Sequence, residues 1–350
     1  MNRTMNDRYR KKNKDYSLGA QGCVEPGAAL GCMHLAPRPP FFQRRIVGLL
    51  LGGWDLVLRR SADPATWMTR LQCMGRRLCG MQTRYLKSGD FLWPYLDGGE
   101  GVPVVLLHGY GADKDRFGSL VPFIKRHHRV IIPDIPGFGE HTPDWSLSYG
   151  IHAQVERLDR FLRAVGLSRF HLMGLSLGGY LAGVYAARYS RRVATLALMD
   201  SAGFTSPVPS DAQRRFESEG RNIFLYSHER QVQDLMDFLF HRPIRLPAAL
   251  LGYWTRQGVS LQAWRAKLFD DLMIGGMYEL DGLAPRIQAP TLVIWGADDR
   301  ICHVSAVSRI LSLIKNCRAW IIHDCGHIPM IEYPALFRRL YLDFLLRRNQ

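Results

Sequence analysis

The sequence predicts an α/β architecture: a mostly parallel sheet flanked by helices, with one helical segment inserted between two of its strands. Three observations carry this. From residue 81 onward, short apolar runs bounded by glycine and proline alternate with segments of helical spacing. That is the pattern of strands buried on both faces and joined by crossover helices. The alternation stops near Ser201 and resumes at Thr291, and the roughly 80 residues between them carry helical periodicity only.

The strands follow in order. Residues 81–86 and 91–96 form a pair around the turn residues Lys87, Ser88, Gly89 and Asp90. The run 102–107 is continuously apolar and ends in His108-Gly109-Tyr110-Gly111. Residues 129–133, 169–173, 193–199, 291–295 and 319–323 complete eight strands. Helices are expected at 113–125, 151–165, 177–189, 304–314 and 334–346. Inside the inserted segment, 204–285, helices are expected at 211–219, 229–240, 247–257 and 261–273. The core of the fold is then 81–203 with 286–350.

Charge divides the chain differently. The net charge is +15 over 350 residues. Residues 1–90 hold 16 Lys/Arg against 6 Asp/Glu, a balance of +10, and the remainder only +5. Residues 1–40, rich in Gly, Pro and charge, read as a disordered basic tail. Residues 41–80 read as an N-terminal helical segment. Within it 46–58 is a 13-residue apolar stretch holding Asp55, preceded by Arg44 and Arg45 and followed by Arg59 and Arg60. Such a stretch suits a helix lying in a headgroup region; docking on the protein's own core is the other reading. The basic segment could meet an anionic membrane surface. Nucleic acid is not expected, because only Tyr9 and Tyr16 interleave the basic run. The seven cysteines are odd in number and contain no C-x-x-C pair, which suits a reducing compartment and gives no metal site. No 18-residue apolar run exists.

The chemistry concentrates in loops after strands. Gly174-Leu175-Ser176-Leu177-Gly178 is a G-x-S-x-G run that follows a strand and opens a helix, the setting of a nucleophile elbow. Ser176 is the expected nucleophile. A serine hydroxyl needs a base within reach. His327, in Asp324-Cys325-Gly326-His327 after the last strand, falls at the same sheet edge. The imidazole needs a carboxylate to hold its tautomer. Trp295-Gly296-Ala297-Asp298-Asp299 ends a strand with two acids; we assign Asp299, with Asp298 capping or solvated and Asp200 a third choice. The oxyanion donors are expected at the Leu177 N–H and the Tyr110 N–H, with Gly111 beside it. His108 is expected to support its own loop, and Asp134 to Gly139 to shape the pocket floor.

These motifs, His108-Gly109-Tyr110-Gly111, Asp134-Ile135-Pro136-Gly137, the serine pentapeptide, Trp295 to Asp299 and Cys325-Gly326-His327, resemble the α/β-hydrolase superfamily in order and spacing. The order Ser176, Asp299, His327 is the one that fold requires. Within the superfamily the chain is similar to monoacylglycerol lipases of the α/β-hydrolase-domain type and to bacterial lipases and esterases. Gly183 to Ala187, Arg265 to Phe269 and Asn316-Cys317 add to that likeness, which covers residues 80–346. The resemblance implies hydrolysis of lipid-like carboxylic esters, no cofactor and a membrane-associated N-terminal segment. Because 46–58 is short and holds Asp55, surface attachment on the cytoplasmic side is expected, with no clear signal peptide.

The substrate pocket is expected around Gly111, Leu175, Trp254, Trp264, Phe269 and Ile328, with the insertion acting as a lid. A carbon–carbon bond hydrolase of a vinylogous diketone would use the same triad. A non-catalytic binding protein would usually lack one triad member, and here all three are present. Dehalogenases and epoxide hydrolases of this fold place aspartate where Ser176 stands.

Overall fold

The computed structural model describes residues 32–35, 64–274 and 276–346. The basic tail apart from 32–35, and the apolar stretch 46–58, lie outside the described residues.

The sheet contains the strands β1 (Cys32–Leu35), β2 (Gln82–Ser88), β3 (Phe91–Gly98), β4 (Val104–Leu107), β5 (Val130–Pro133), β6 (Phe170–Leu175), β7 (Val193–Met199), β8 (Thr291–Gly296) and β9 (Cys317–Ile322). Their order is β1-β9-β8-β7-β6-β4-β5-β3-β2. Pairing is parallel from β1 through β5 and antiparallel at β5–β3 and β3–β2. The helices are α1 (Pro64–Leu78), α2 (Val121–Ile124), α3 (Ile151–Ala164), α4 (Leu177–Arg188), α5 (Asp211–Glu219), α6 (Glu229–Leu239), α7 (Ala248–Ile274), α8 (Leu280–Leu283), α9 (Ala306–Leu313), α10 (Pro329–Glu332) and α11 (Pro334–Leu346).

Alternation along each central strand builds two apolar layers. Val105, Leu107, Leu172, Leu198 and Val293 face the layer filled by α3, α4 and α9. Val104, Leu106, Met173, Met199 and Ile294 face the layer filled by α2, α10 and α11. Each of these side chains is almost fully buried, and full burial of a Val, Leu, Ile or Met contributes roughly 1.5–3 kcal/mol. Both faces being covered explains why these strands read as unbroken apolar runs.

All eight expected strands are present. A ninth, β1, adds to them from within the segment expected to be a disordered tail. Four residues are too few to show periodicity; what orders them is pairing with the edge of β9, where Leu35 accepts a bond from the His323 N–H at 2.8 Å. The expected helix 113–125 is a 3₁₀ turn, Lys114–Phe117, followed by α2, with Gly118 closing the turn and Pro122 opening the short helix. The expected helices 247–257 and 261–273 are one, α7. Gly258 does not break it: it gives room, since a Cβ there would sit 2.4 Å from Tyr226.

Met199 on β7 is the register partner of Ile294 on β8. The two strands are neighbours, so the residues between them form an insertion at the carboxyl edge of the sheet. Among the described residues that insertion is helical, and no helix is long and apolar enough to cross a membrane.

Candidate active site

Parallel strands bring their carboxyl ends to one edge, and the loops leaving that edge are tied to one another. The Ser176 N–H donates to the Met199 carbonyl at 2.9 Å, the Asp200 N–H to Ile294 at 3.1 Å, and the Ala297 N–H to Ile322 at 2.9 Å. Strain gathers on the same edge. Among the described residues the non-glycine positions with positive φ are Ser176, Asp200 and Asp324, just past β6, β7 and β9. Such conformations cost of order 1–3 kcal/mol each and persist only where surroundings fix them.

Ser176 has φ 54° and ψ −117° and stands at the N-cap of α4. The turn is tight enough that a Cβ on Gly174 would lie 2.0 Å from the Gly178 carbonyl oxygen, and one on Gly178 2.2 Å from that of Leu107. Glycine is therefore dictated at both positions. Leu177 opens α4, so its N–H has no acceptor within the helix, at the positive end of the helix dipole. The loop after β4 lies against the serine: a Cβ on Gly109 would be 3.3 Å from the Ser176 Cβ. Within that loop His108 donates from Nδ1 to the Gly109 carbonyl (2.9 Å) and accepts at Nε2 from the Ile135 N–H (3.0 Å). Burial lowers its pKa and keeps the ring neutral.

The Asp299 carboxylate accepts from His327 Nδ1–H at 2.8 Å on Oδ2. Its Oδ1 accepts from the Ile301 and Cys302 N–H groups at 2.8 and 3.0 Å. Both partners are buried, at 3% exposure each. A carboxylate oriented in this way holds Nε2 free to take a proton. Asp298 pairs instead with His241 Nδ1 at 2.8 Å. The loops carrying Asp299 and His327 touch backbone to backbone: a Cβ on Gly296 would lie 1.9 Å from the Gly326 oxygen. The His327 N–H donates to Leu239 at the end of α6 (2.8 Å), joining the insertion to the histidine loop.

Two further carboxyls lie in this region: Glu332, which the sequence did not single out, and Asp200, the third choice of acid. Glu332 on α10 accepts from the Gly326 N–H at 2.6 Å and from the His241 N–H at 2.9 Å, and burial pushes its pKa up to about 7. Asp200 is fully buried and neighbours Asp299. Asp134 binds the Lys114 N–H and Nζ (both 2.7 Å) and the Glu140 N–H (3.0 Å), fixing the loop that follows β5.

The expected pocket residues separate into groups. Gly111 and Trp264 line a cavity of about 170 Å³ with Asp113, Phe138, His141 and Arg265. Trp264 also donates from Nε1 to the Gly137 carbonyl at 2.8 Å. Phe269 packs near the Tyr110 ring, whose hydroxyl donates to the Arg265 carbonyl on α7. Leu175 and Ile328 lie in the layer of α2, α10 and α11, with Trp254 packed against it. Leu177 faces α7 across a void of about 10 Å³, lined also by Phe138, Leu181, Leu268 and Leu272.

The chain matches the model of the α/β-hydrolase fold over residues 102–334. It is 32% identical over 250 residues to Lipase 1 of Psychrobacter immobilis, covering 71% of this chain and 78% of that protein. It is 29% identical over 282 residues to the monoacylglycerol lipase ABHD6 of Homo sapiens, covering 77% and 84%. The solved structure of a bacterial membrane phospholipase A superposes with a TM-score of 0.79 at 32% identity, covering 88% of this chain and 99% of that one. The chain belongs to the α/β-hydrolase fold family.

Proposed function

We propose that Ser176, His327 and Asp299 form the catalytic triad of this carboxylic ester hydrolase, and that its natural substrates are single-chain glycerol esters or closely related lipids. The hydrogen bond from His327 to Asp299 carries the reading, at the same sheet edge as the strained Ser176. Relatives named monoacylglycerol lipase and lipase support the substrate class.

In this mechanism Ser176 Oγ attacks the ester carbonyl while His327 Nε2 takes its proton. The developing oxyanion is met by the N–H groups of Leu177 and Tyr110. Collapse breaks the bond to the alcohol oxygen, which leaves with the proton from His327. Water then repeats both proton transfers and releases the acid. The helices of 204–285 act as a cap. The cavity of about 170 Å³ lined by Gly111 and Trp264 offers the substrate room beside α7. The basic N-terminal segment places the enzyme on the cytoplasmic face of an anionic membrane, without spanning it.

The test is turnover of p-nitrophenyl esters, monoacylglycerols and a vinylogous diketone by wild type and Ser176→Ala, with sedimentation on anionic vesicles as a second readout. Ester turnover that vanishes in the variant, with vesicle binding unchanged, is the expected result. Turnover that survives Ser176→Ala overturns the mechanism, and diketone cleavage without ester cleavage overturns the substrate class.

A further inference from the structure

Asp200 is a charged residue type with no assigned task at the centre of the site. It is fully buried and follows β7 with φ 43°. One of its oxygens, Oδ1, accepts from the Gly296 N–H at 2.9 Å. The other, Oδ2, meets no donor. Gly296 in turn accepts from the Asp299 N–H at 3.3 Å, so both acids are tied to one glycine, and the Asp299 carboxyl acts on Asp200 through its charge and a side-chain hydrogen bond.

Two buried carboxylates side by side cannot both carry a charge, so one of them holds a proton. The donors decide which. Asp299 already accepts three N–H bonds, from Ile301, Cys302 and His327. Asp200 accepts one. The charge therefore settles on Asp299 and the proton on Asp200. An anionic carboxylate has about four acceptor positions, and an O–H from Asp200 fills the one still open on Asp299.

We infer that Asp200 is a neutral positioning residue whose Oδ2–H donates to the Asp299 carboxylate, completing its hydrogen-bond shell and fixing it against His327. The inference rests on the triad proposed above. No proton leaves Asp200 during turnover; its part is to hold Asp299 ionised and in place. Burial and the nearby Asp299 both raise the Asp200 pKa, and Glu332 on α10 adds in the same direction. Cys302 and Cys325 border the same pocket of charge, and burial keeps both thiols protonated.

The test compares Asp200→Asn, Asp200→Ala and Asp299→Asn in the full chain. Asparagine offers an N–H in place of the O–H and retains the oxygen that faces Gly296. Asp200→Asn should keep kcat within about threefold of wild type, with the same pH profile of kcat/KM. Asp200→Ala should lower kcat roughly ten- to hundredfold, move the acid limb of that profile and leave KM nearly unchanged. Asp299→Asn should lose a thousandfold or more, on the order of other triad-acid replacements. If Asp200→Ala does not fold, the asparagine variant decides alone. A folded Asp200→Asn with a hundredfold loss, or an active Asp299→Asn, overturns the inference, because Asp200 would then be the ionised acid. Asp299→Asn separates the two readings: its inactivity leaves the triad standing when Asp200→Asn sinks the Asp200 inference, whereas its activity sinks the Asp299 assignment as well.

Discussion

Gly296 and Gly326 approach so closely that a side chain on the first would drive into the carbonyl of the second, at 1.9 Å. The first glycine ends β8, just ahead of Asp299, and the second immediately precedes His327. Contact between two backbones sets the separation of Asp299 and His327 more rigidly than any side-chain packing could.

Gly296→Ala is therefore expected to part the two loops. Backbone cannot yield as a flexible side chain does, and overpacking of this kind costs about 1–3 kcal/mol or more. Activity should fall further than stability, because the bond between Asp299 and His327 lengthens first. Gly75→Ala in α1 is the counterpart: a Cβ there meets nothing within 4 Å. It should raise stability by about 0.5–1 kcal/mol with turnover unchanged. Thermal unfolding and ester turnover of both variants decide the matter, and equal losses in the two would remove the argument.

Glu332 gives a pH dependence with a definite sign. Burial raises its folded pKa from the ordinary 4.5 to about 7, so the folded state binds its proton more tightly than the unfolded chain. Its contribution to stability is complete below about pH 4.5 and is lost as pH rises toward about 7. Glu332→Gln does not titrate; it gives up one acceptor, a loss independent of pH. Melting temperatures of wild type and Glu332→Gln, compared across that window, should shift in favour of glutamine as pH rises. Curves that stay parallel would show that Glu332 is not the titrating group.

Tyr110→Phe keeps the ring and the backbone N–H and removes the hydroxyl bonded to the Arg265 carbonyl on α7. One hydrogen bond of this kind is worth about 1 kcal/mol. The melting temperature should fall by a few degrees, KM for long-chain esters should rise, and kcat should stay within about threefold. A kcat reduced a hundredfold with KM constant would place the hydroxyl in the chemistry rather than in tethering α7.

What could be read from the sequence was whatever is written locally. The serine turn requires glycine at 174 because a Cβ there collides with Gly178 four positions on, and at 178 because the backbone of Leu107 and His108 crosses there; the first demand is visible in five letters. The central strands were legible because both faces are covered. Residues whose roles depend on distant segments were not. Lys114 reads only as part of a helix, yet it is 1% exposed because Asp134, twenty positions on, receives it. Glu332 carries no local signal, and only the fold brings Gly326 and His241 to it. Asp200 could be read as a candidate acid, but not as one sharing a buried site with another. β1 gave no signal because its order comes from β9. Gly258 misled in the opposite direction: a residue that punctuates helices in isolation here serves a close approach.

That close approach also makes a pivot. Tyr226 presses on α7 at Gly258, and sixteen residues further on the helix ends at Ile274. At 1.5 Å per residue, a tilt of about 5° around the tyrosine swings the far end by roughly 2 Å. Trp264, Arg265 and Leu268 ride on the swinging arm, so a bulkier residue at 258 would pry α7 away from Leu177, which it faces across the small void, while standing far from that void itself.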